Sequence, residues 1–186
     1  MIKQIIFVIL VSLCCSYALL AQSTVERSMT GLQFNLNTVG AYHEIGLSDK
    51  ATIRLGGDLG LRWRARGTGN TVNFDARLQP ALRAEPRYYY NMAKREAKGK
   101  RMGNNAGNFV GLKTEYILPV HLFASEGLRN PQGIVSFIPR WGIRRNLGSG
   151  WDFELGLGAG VRIEGAGNSM RVYRDLDVEW KFGFRF

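Results

Sequence analysis

The residues best suited to catalysis in this sequence are its two histidines. His43 is followed by Glu44, His121 has Ser125 four positions later, and the alternation of the residues around them predicts that both histidines face inward. A histidine, a serine and a carboxylate are the groups with which a hydrolase activates a nucleophile. Carboxylates and serines occur throughout the chain, so this combination is very unspecific. The sequence shows no metal-ligand spacing, no nucleotide-binding glycine pattern and no nucleophile elbow, and it therefore predicts neither an enzyme nor a cofactor.

Acidic and basic residues that alternate with apolar residues form a second group. Successive side chains of a β-strand point to opposite faces, so the alternation predicts strands with one charged and one apolar face. Neighbouring strands bring opposite charges into ion-pairing distance. If the strands close into a barrel, we expect a network of ion pairs that fills the interior of the barrel. A narrow ion path or a pocket for a polar ligand is the alternative. The predicted charged face contains Arg54, Asp58, Arg62, Asp75, Arg77, Arg83, Glu85, Arg87, Lys113, Glu115, Arg140, Arg144, Asp152, Glu154, Arg162, Asp177, Glu179, Lys181 and Arg185.

A third candidate site is the basic connection at residues 92–108. It contains Lys94, Arg95, Lys98, Lys100 and Arg101, and a short helix is predicted over 91–97 with Asn91 as its cap. Such a cluster can bind phosphate groups, and a solvated turn is the equally weighted alternative. The net charge of +10 would also suit a nucleic-acid-binding protein. Elsewhere, however, the charges alternate along strands and do not gather on one helix face, so we expect no nucleic-acid partner.

The last eleven residues indicate the elements that position these groups. Their apolar positions are Leu176, Val178, Trp180, Phe182, Phe184 and Phe186, and the positions between them are charged or are Gly183. A strand with lipid on one side and a polar interior on the other has this strict two-residue period. Tyr88, Tyr89 and Tyr90 similarly suit an aromatic girdle at the level of the lipid headgroups.

Seven strand regions can be recognised, and they predict an all-β fold. They span residues 30–47, 51–65, 71–90, 109–123, 134–145, 151–163 and 176–186. Bacterial outer-membrane barrels have an even number of strands, so one strand is missing from this count. Either 30–47 or 71–90 contains two strands, or a weak strand lies near 23–29 or 168–174. The predicted fold is a closed, antiparallel, up-and-down transmembrane β-barrel of about eight strands.

The beginning of the chain has the features of a secretory signal peptide over residues 1–21. Lys3 precedes an apolar run over 5–20, and Ala18 or Ala21 offers a small residue for cleavage. A retained anchor is the less favoured alternative. Both cysteines, Cys14 and Cys15, lie in this segment, so the exported part has none to form a disulfide. The expected organisation is a signal peptide followed by one barrel domain over 22–186.

Two stretches resemble small outer-membrane β-barrel proteins of Bacteroidota-type bacteria. The first is PRYYYN at 86–91 followed by KREAKGKRMGNNAGNF at 94–109, and the second is the ending DVEWKFGFRF. The ending is similar to the signal that the barrel-assembly machinery reads, which implies that Trp180, Phe182, Phe184 and Phe186 contact this machinery. Gly183 departs from the pattern because it is a flexible residue. The resemblance implies an integral outer-membrane location in a Gram-negative bacterium and implies no catalytic residue.

The sequence therefore favours a structural or envelope-interaction protein of the outer membrane. Its expected partners are outer-membrane lipid and lipopolysaccharide, and the assembly machinery during biogenesis. One alternative is a soluble periplasmic barrel that binds a lipid or another hydrophobic ligand, with its faces inverted. The other is a barrel enzyme that modifies lipid or lipopolysaccharide, for which His121 is the candidate residue.

Overall fold

The computed structural model describes residues 24–68, 71–125, 132–166 and 169–186. The predicted signal peptide at 1–21 lies outside these residues. Most of the described chain forms β-strands, as the alternating pattern predicted. The elements are β1 (Ser28–Phe34), β2 (Thr38–Gly46), β3 (Ala51–Thr68), β4 (Thr71–Tyr89), α1 (Met92–Glu96), β5 (Asn108–Ile117), β6 (Phe123–Ala124), β7 (Ile134–Gly148), β8 (Trp151–Ala166) and β9 (Ser169–Arg185).

The strands form one antiparallel sheet that returns on itself. The order is β3-β2-β1-β9-β8-β7-β5-β4, and β4 pairs again with β3, so eight strands make a ring. The ninth strand, β6, has two residues and pairs with Arg77 and Leu78 of β4, beyond the end of β5. The predicted strand over 109–123 is thus two strands, and Leu118 and Leu122 between them still donate backbone hydrogen bonds to Pro80 and Leu78 of β4.

The region 30–47, which the sequence pattern counted as one strand, contains the two strands β1 and β2. Asn35 follows β1, and its Oδ1 accepts hydrogen bonds from the backbone N–H groups of Asn37 (3.0 Å) and Thr38 (2.8 Å). An asparagine that bonds the backbone two or three residues later replaces a strand ladder with a tight turn. The turn exchanges the two faces: Leu32 and Phe34 are exposed before it, whereas Val39 is exposed and Tyr42 buried after it.

The predicted helix at 91–97 is present as the five-residue α1, but its cap differs from the prediction. Asn91 occupies the cap position without a side-chain capping bond. Its Oδ1 instead accepts a hydrogen bond from the backbone N–H of Asn108 (2.7 Å), which ties the start of the connection to the start of β5. No helix among the described residues has the length and apolar character needed to cross a membrane.

The apolar core of the described residues is small and lies at one end of the ring. It contains Val25, Tyr89, Met92 and Phe109, with Met102 packed against them. This is the end at which β1 begins and β9 ends, and the connection at residues 90–107 lies there as well. Most of the other buried side chains are polar or charged. The ring therefore encloses a charged interior, and many of its large apolar side chains are exposed on the outside.

Candidate functional site

Glu154 lies at the centre of the charged interior. Its two oxygens accept hydrogen bonds from Arg54 (2.9 Å), Arg87 (2.8 Å to each oxygen) and Arg140 (3.1 Å). Lys181 Nζ lies 3.4 Å away. These four cations come from β3, β4, β7 and β9, and all five residues are at most 4% exposed. One carboxylate of β8 thus connects five of the eight strands of the ring.

Glu85 completes this central layer. It accepts hydrogen bonds from Arg87 (2.7 Å) and Arg140 (2.6 and 2.7 Å), the same two arginines that bind Glu154. Negative carboxylates and positive guanidinium groups therefore alternate in space, so each buried charge has opposite charges beside it. Buried charges are tolerated only under this condition, and arginine suits it because its planar group binds two carboxylates at once.

A second layer lies between the central layer and the apolar core. Arg144 is fully buried and binds Glu44 (2.8 Å), Asp152 (3.1 Å) and the hydroxyl oxygen of Tyr42 (2.8 Å). Glu44 also accepts hydrogen bonds from Tyr89 (3.0 Å), from Thr52 (2.9 Å) and from Asn105 (2.9 Å). Asn105 belongs to the connection at 90–107, so that connection reaches into the ring.

The connection at residues 90–107 covers this end of the ring, and we call residues 102–107 the cap. Asn104, Asn105 and Ala106 are almost completely buried. The backbone N–H of Glu26 donates to Asn105 Oδ1 (2.7 Å), and Asn104 donates to Glu26 Oε1 (2.7 Å) and to the carbonyl oxygen of Gly150 (3.1 Å). Both asparagines have positive φ angles (59° and 52°), a conformation that asparagine accepts more readily than most residues. The cap therefore closes one end with specific hydrogen bonds.

The five basic residues predicted to bind phosphate have two different environments. Lys94, Lys98, Lys100 and Arg101 are exposed on the outer side of the connection. Arg95 is half-buried and donates hydrogen bonds to the carbonyl oxygens of Ala106 (2.8 Å) and Arg101 (3.2 Å). Four of the five cations are thus available to an anionic partner, and Arg95 holds the connection in shape.

The opposite end of the ring contains a third charged layer and an opening. Arg83 binds Glu115 (2.9 Å), Glu179 (3.1 Å) and Asp58 (3.3 Å), and Lys113 forms an ion pair with Asp177. A cavity of about 440 Å³ adjoins this layer. Several of its lining residues belong to the outer apolar surface, so the cavity connects the interior with the outside.

The structure agrees with most of the predicted charged face and corrects one part of it. Arg54, Arg83, Glu85, Arg140 and Glu154 are buried as the alternation predicted. Glu44, which is buried, was missed because the turn at Asn35–Asn37 was not recognised and the face assignment was inverted after it. Gln33 lies before the turn and is also buried, on the face that the alternation predicted to point inward, but it was not named because it carries no charge. The asparagines at 35 and 37 were the signal that could have revealed this turn.

The predicted inward position of His43 is wrong for the same reason. His43 is exposed on the outer face, where its Nδ1 forms a hydrogen bond with Thr30 Oγ1 (2.8 Å). His121 is partly exposed in the segment between β5 and β6. The two histidines therefore do not share a site facing the interior. Among the described residues, no cluster of three histidine, cysteine or carboxylate side chains could hold a metal ion.

The three consecutive tyrosines at the end of β4 and just after it point to opposite sides of the sheet. Tyr88 and Tyr90 are exposed outside, and the hydroxyl oxygen of Tyr90 accepts a hydrogen bond from Trp141 Nε1 (2.6 Å). Tyr89 is fully buried and donates to Glu44 inside the ring. Only Tyr88 and Tyr90 can belong to an external aromatic girdle, since a strand cannot present three successive side chains on one face.

The aromatic residues of the terminal pattern belong to the outer surface. The Phe182 ring packs against those of Phe153 (5.4 Å between centroids) and Phe34 (6.0 Å). The ring of Phe184 packs against that of Trp151 (5.0 Å), Trp180 lies beside Phe182 (6.1 Å), and Phe186 is exposed. Gly183 faces inward, where a Cβ atom would lie 2.8 Å from Asp152 Oδ1. The glycine in the terminal pattern therefore leaves room for a buried carboxylate.

Comparison with protein-family models, with curated proteins and with solved structures finds no significant match to this chain.

Proposed function

We propose that this protein is an integral β-barrel of a Gram-negative outer membrane with a structural or envelope-interaction role. The observation that carries the proposal is the inverted distribution of polarity. Arg144, Glu85 and Glu154 are buried, whereas Leu157, Val178 and Trp63 are 43%, 74% and 68% exposed. A water-soluble protein rarely exposes such a large contiguous apolar surface, while a barrel in lipid requires an apolar outside and a polar inside.

The buried ion-pair network favours a structural role for the interior. An eight-stranded barrel has an interior just wide enough for its own side chains. Here guanidinium groups and carboxylates occupy that space, and the cap covers one end. We infer that the network holds the strands together without disulfides, since both cysteines of the chain lie in the predicted signal peptide.

A matched pair of arginine substitutions tests the lipid-facing surface. Leu157 lies near the middle of β8, opposite Trp141 and Val178, and Leu47 lies in the turn after β2. Leu157→Arg should destabilise the protein by about 2–4 kcal/mol because it places a charge near the centre of the bilayer. Leu47→Arg, outside the strands, should cost less than about 0.5 kcal/mol. Urea unfolding in lipid vesicles measures both variants.

The contrast between these variants also tests the soluble alternative. Both leucines are exposed, at 43% and 62%, so arginine should be tolerated equally at both sites in a periplasmic barrel. Equal stabilities, together with release of the protein from membranes by carbonate, would contradict the membrane proposal and favour a soluble periplasmic protein. The lipid-binding form of that alternative needs apolar side chains inside, whereas Arg144, Glu85 and Glu154 are buried there.

We further propose that Lys94, Lys98, Lys100 and Arg101 contact lipid phosphates. They lie at the end of the ring where β1 begins and β9 ends, which is the periplasmic side in bacterial barrels of this type. On that side the partners would be phospholipids of the inner leaflet, and lipopolysaccharide would be the partner only in the opposite orientation.

Replacing the four exposed cations by glutamine should reduce the preference for anionic over neutral phospholipid, since each contributes about 1 kcal/mol near a charged surface. Retention of phosphatidylglycerol relative to phosphatidylcholine, measured by native mass spectrometry, gives this preference. A variant with Arg27→Gln and Lys50→Gln removes cations elsewhere at the same end and serves as the control. An unchanged preference in the fourfold variant would support the solvated-turn interpretation.

A further inference from the structure

The wall of the ring is incomplete on one side at the end opposite the cap. The β1–β2 turn is short: β2 pairs with β3 only as far as Thr38 opposite Gly60, and β1 pairs with β9 only as far as Phe34 opposite Phe182. β3 continues to Thr68 and β9 begins at Ser169, so both strands extend beyond the turn. The cavity of about 440 Å³ lies at this gap, and its volume is within the range of small-molecule sites.

The lining of this lateral cavity has an apolar and a charged part. Leu36, Trp63, Val178 and Trp180 contribute from the outer surface, where Leu36 is 88% exposed. Arg83, Lys113, Glu115, Asp177 and Glu179 contribute from the interior. A ligand that fits both parts must have a polar head and an apolar tail.

The charge of the polar part favours a cation. The side chains of Glu115, Asp177 and Glu179 are 15%, 13% and 11% exposed, whereas those of Arg83 and Lys113 are 6% exposed. A larger fraction of each carboxylate side chain than of either cationic side chain is therefore accessible. The two tryptophans add the faces of aromatic rings, which attract ammonium groups.

We propose that the lateral cavity binds an amphiphile that carries an ammonium group. The ammonium lies among the carboxylates of Glu115, Asp177 and Glu179 and beside the indole rings of Trp63 and Trp180. The alkyl chain leaves through the gap and follows the outer surface at Leu36 and Val178. The path of the alkyl chain along the outer surface rests on the proposed membrane barrel. Recognition of the ammonium group rests on the cavity alone.

Three short amphiphiles of equal chain length test the proposal. Hexyltrimethylammonium, hexanol and hexanesulfonate are titrated into the isotope-labelled protein, which is purified from the cell fraction that contains it and kept in octyl glucoside, a detergent without charge. The indole N–H signals of the four tryptophans are recorded by nuclear magnetic resonance. We expect saturable shifts of the Trp63 and Trp180 signals with the ammonium compound. Trp141 and Trp151 do not line the cavity, and their signals should remain in place.

Two variants identify the groups that bind the ammonium. Asp177→Asn keeps a hydrogen-bond acceptor for Lys113 but removes the charge, and it should weaken ammonium binding at least fivefold. Trp63→Leu changes an exposed side chain and should also weaken binding. Asp49→Asn removes a carboxylate in the turn after β2, at the cap end, and should leave the affinity unchanged.

The possible results separate this proposal from the membrane proposal. Equal shifts with all three compounds, or unchanged affinity in both Asp177→Asn and Trp63→Leu, would overturn the ammonium site even if the protein is a membrane barrel. Specific ammonium binding by a protein that is found in the soluble periplasm would support the site and contradict the membrane location.

Discussion

Glu154 is the residue on which the interior depends most, because three arginines donate hydrogen bonds to it within the ring. Removing one partner of a buried ion pair leaves uncompensated charge in a medium of low polarity, which costs far more than loss of an exposed pair. The same strand carries Glu164, which is 3.4 Å from Arg162, and both side chains of that pair are partly exposed.

Glu154→Gln should therefore lower the free energy of unfolding by about 3–5 kcal/mol. Glu164→Gln, the same substitution on β8, should cost less than about 1 kcal/mol because water already surrounds that pair. Unfolding in urea, followed by tryptophan fluorescence in vesicles, compares the two. If both variants lose the same small amount of stability, the buried network does not hold the ring together.

At the scale of single residues, the sequence predicted which side of a strand is charged but not how each charge is matched. Alternation placed Arg87, Arg140 and Glu154 inside, yet their common contact depends on the register between strands that are distant in sequence. Gly183 is a similar case. It departed from the expected terminal pattern, and the reason is the carboxylate of Asp152 on the neighbouring strand, which the sequence of β9 does not contain.

At the scale of elements, the cap is held by side chains that reach from a connection into the ring. Asn105 links two parts of the molecule, since its side chain donates to Glu44 and accepts from the backbone of Glu26. Asn105→Ala should leave Glu44 with one donor fewer, and it also places alanine at a positive φ angle.

We expect Asn105→Ala to increase amide hydrogen exchange at residues 102–107 by about tenfold or more, since a loss of 1.4 kcal/mol corresponds to a factor of ten in local opening. Lys100→Ala changes an exposed residue of the same connection and should leave the exchange rates unaltered. Equal rates in the wild type and Asn105→Ala would mean that the cap is not held by this side chain.

Two features of the elements, the turn between β1 and β2 and the burial of the cap, could not be predicted from sequence periodicity. The period of two located every strand of the ring, but it continued through Asn35–Asn37 without interruption, so two strands were counted as one. The side-chain bonds of Asn35 to the backbone produce the turn, and periodicity does not register them. The cap was predicted only as a basic connection with a helix, because the burial of Asn104 and Asn105 depends on contacts with residues 26, 44 and 150.

At the scale of the whole molecule, the distribution of polarity is the reverse of that in a water-soluble protein, with charged side chains inside and apolar side chains outside. Eight strands form a ring, charged side chains fill it, and apolar side chains cover it. The expected even number of strands is confirmed for the ring, while β6 adds a short ninth strand at one edge of β4. Membrane insertion and location in the outer membrane follow from this distribution of polarity and stay predictions.

Electrophoretic mobility before and after heating tests whether the protein is a closed barrel in the outer membrane. Outer-membrane and periplasmic fractions from cells that produce the protein are run in detergent gels, with and without boiling. We expect a compact, fast-migrating band in the unboiled outer-membrane sample that shifts to the mobility of the unfolded chain on boiling, because a closed barrel in lipid resists detergent at room temperature. A protein found in the soluble periplasm, with the same mobility in both samples, would contradict this expectation.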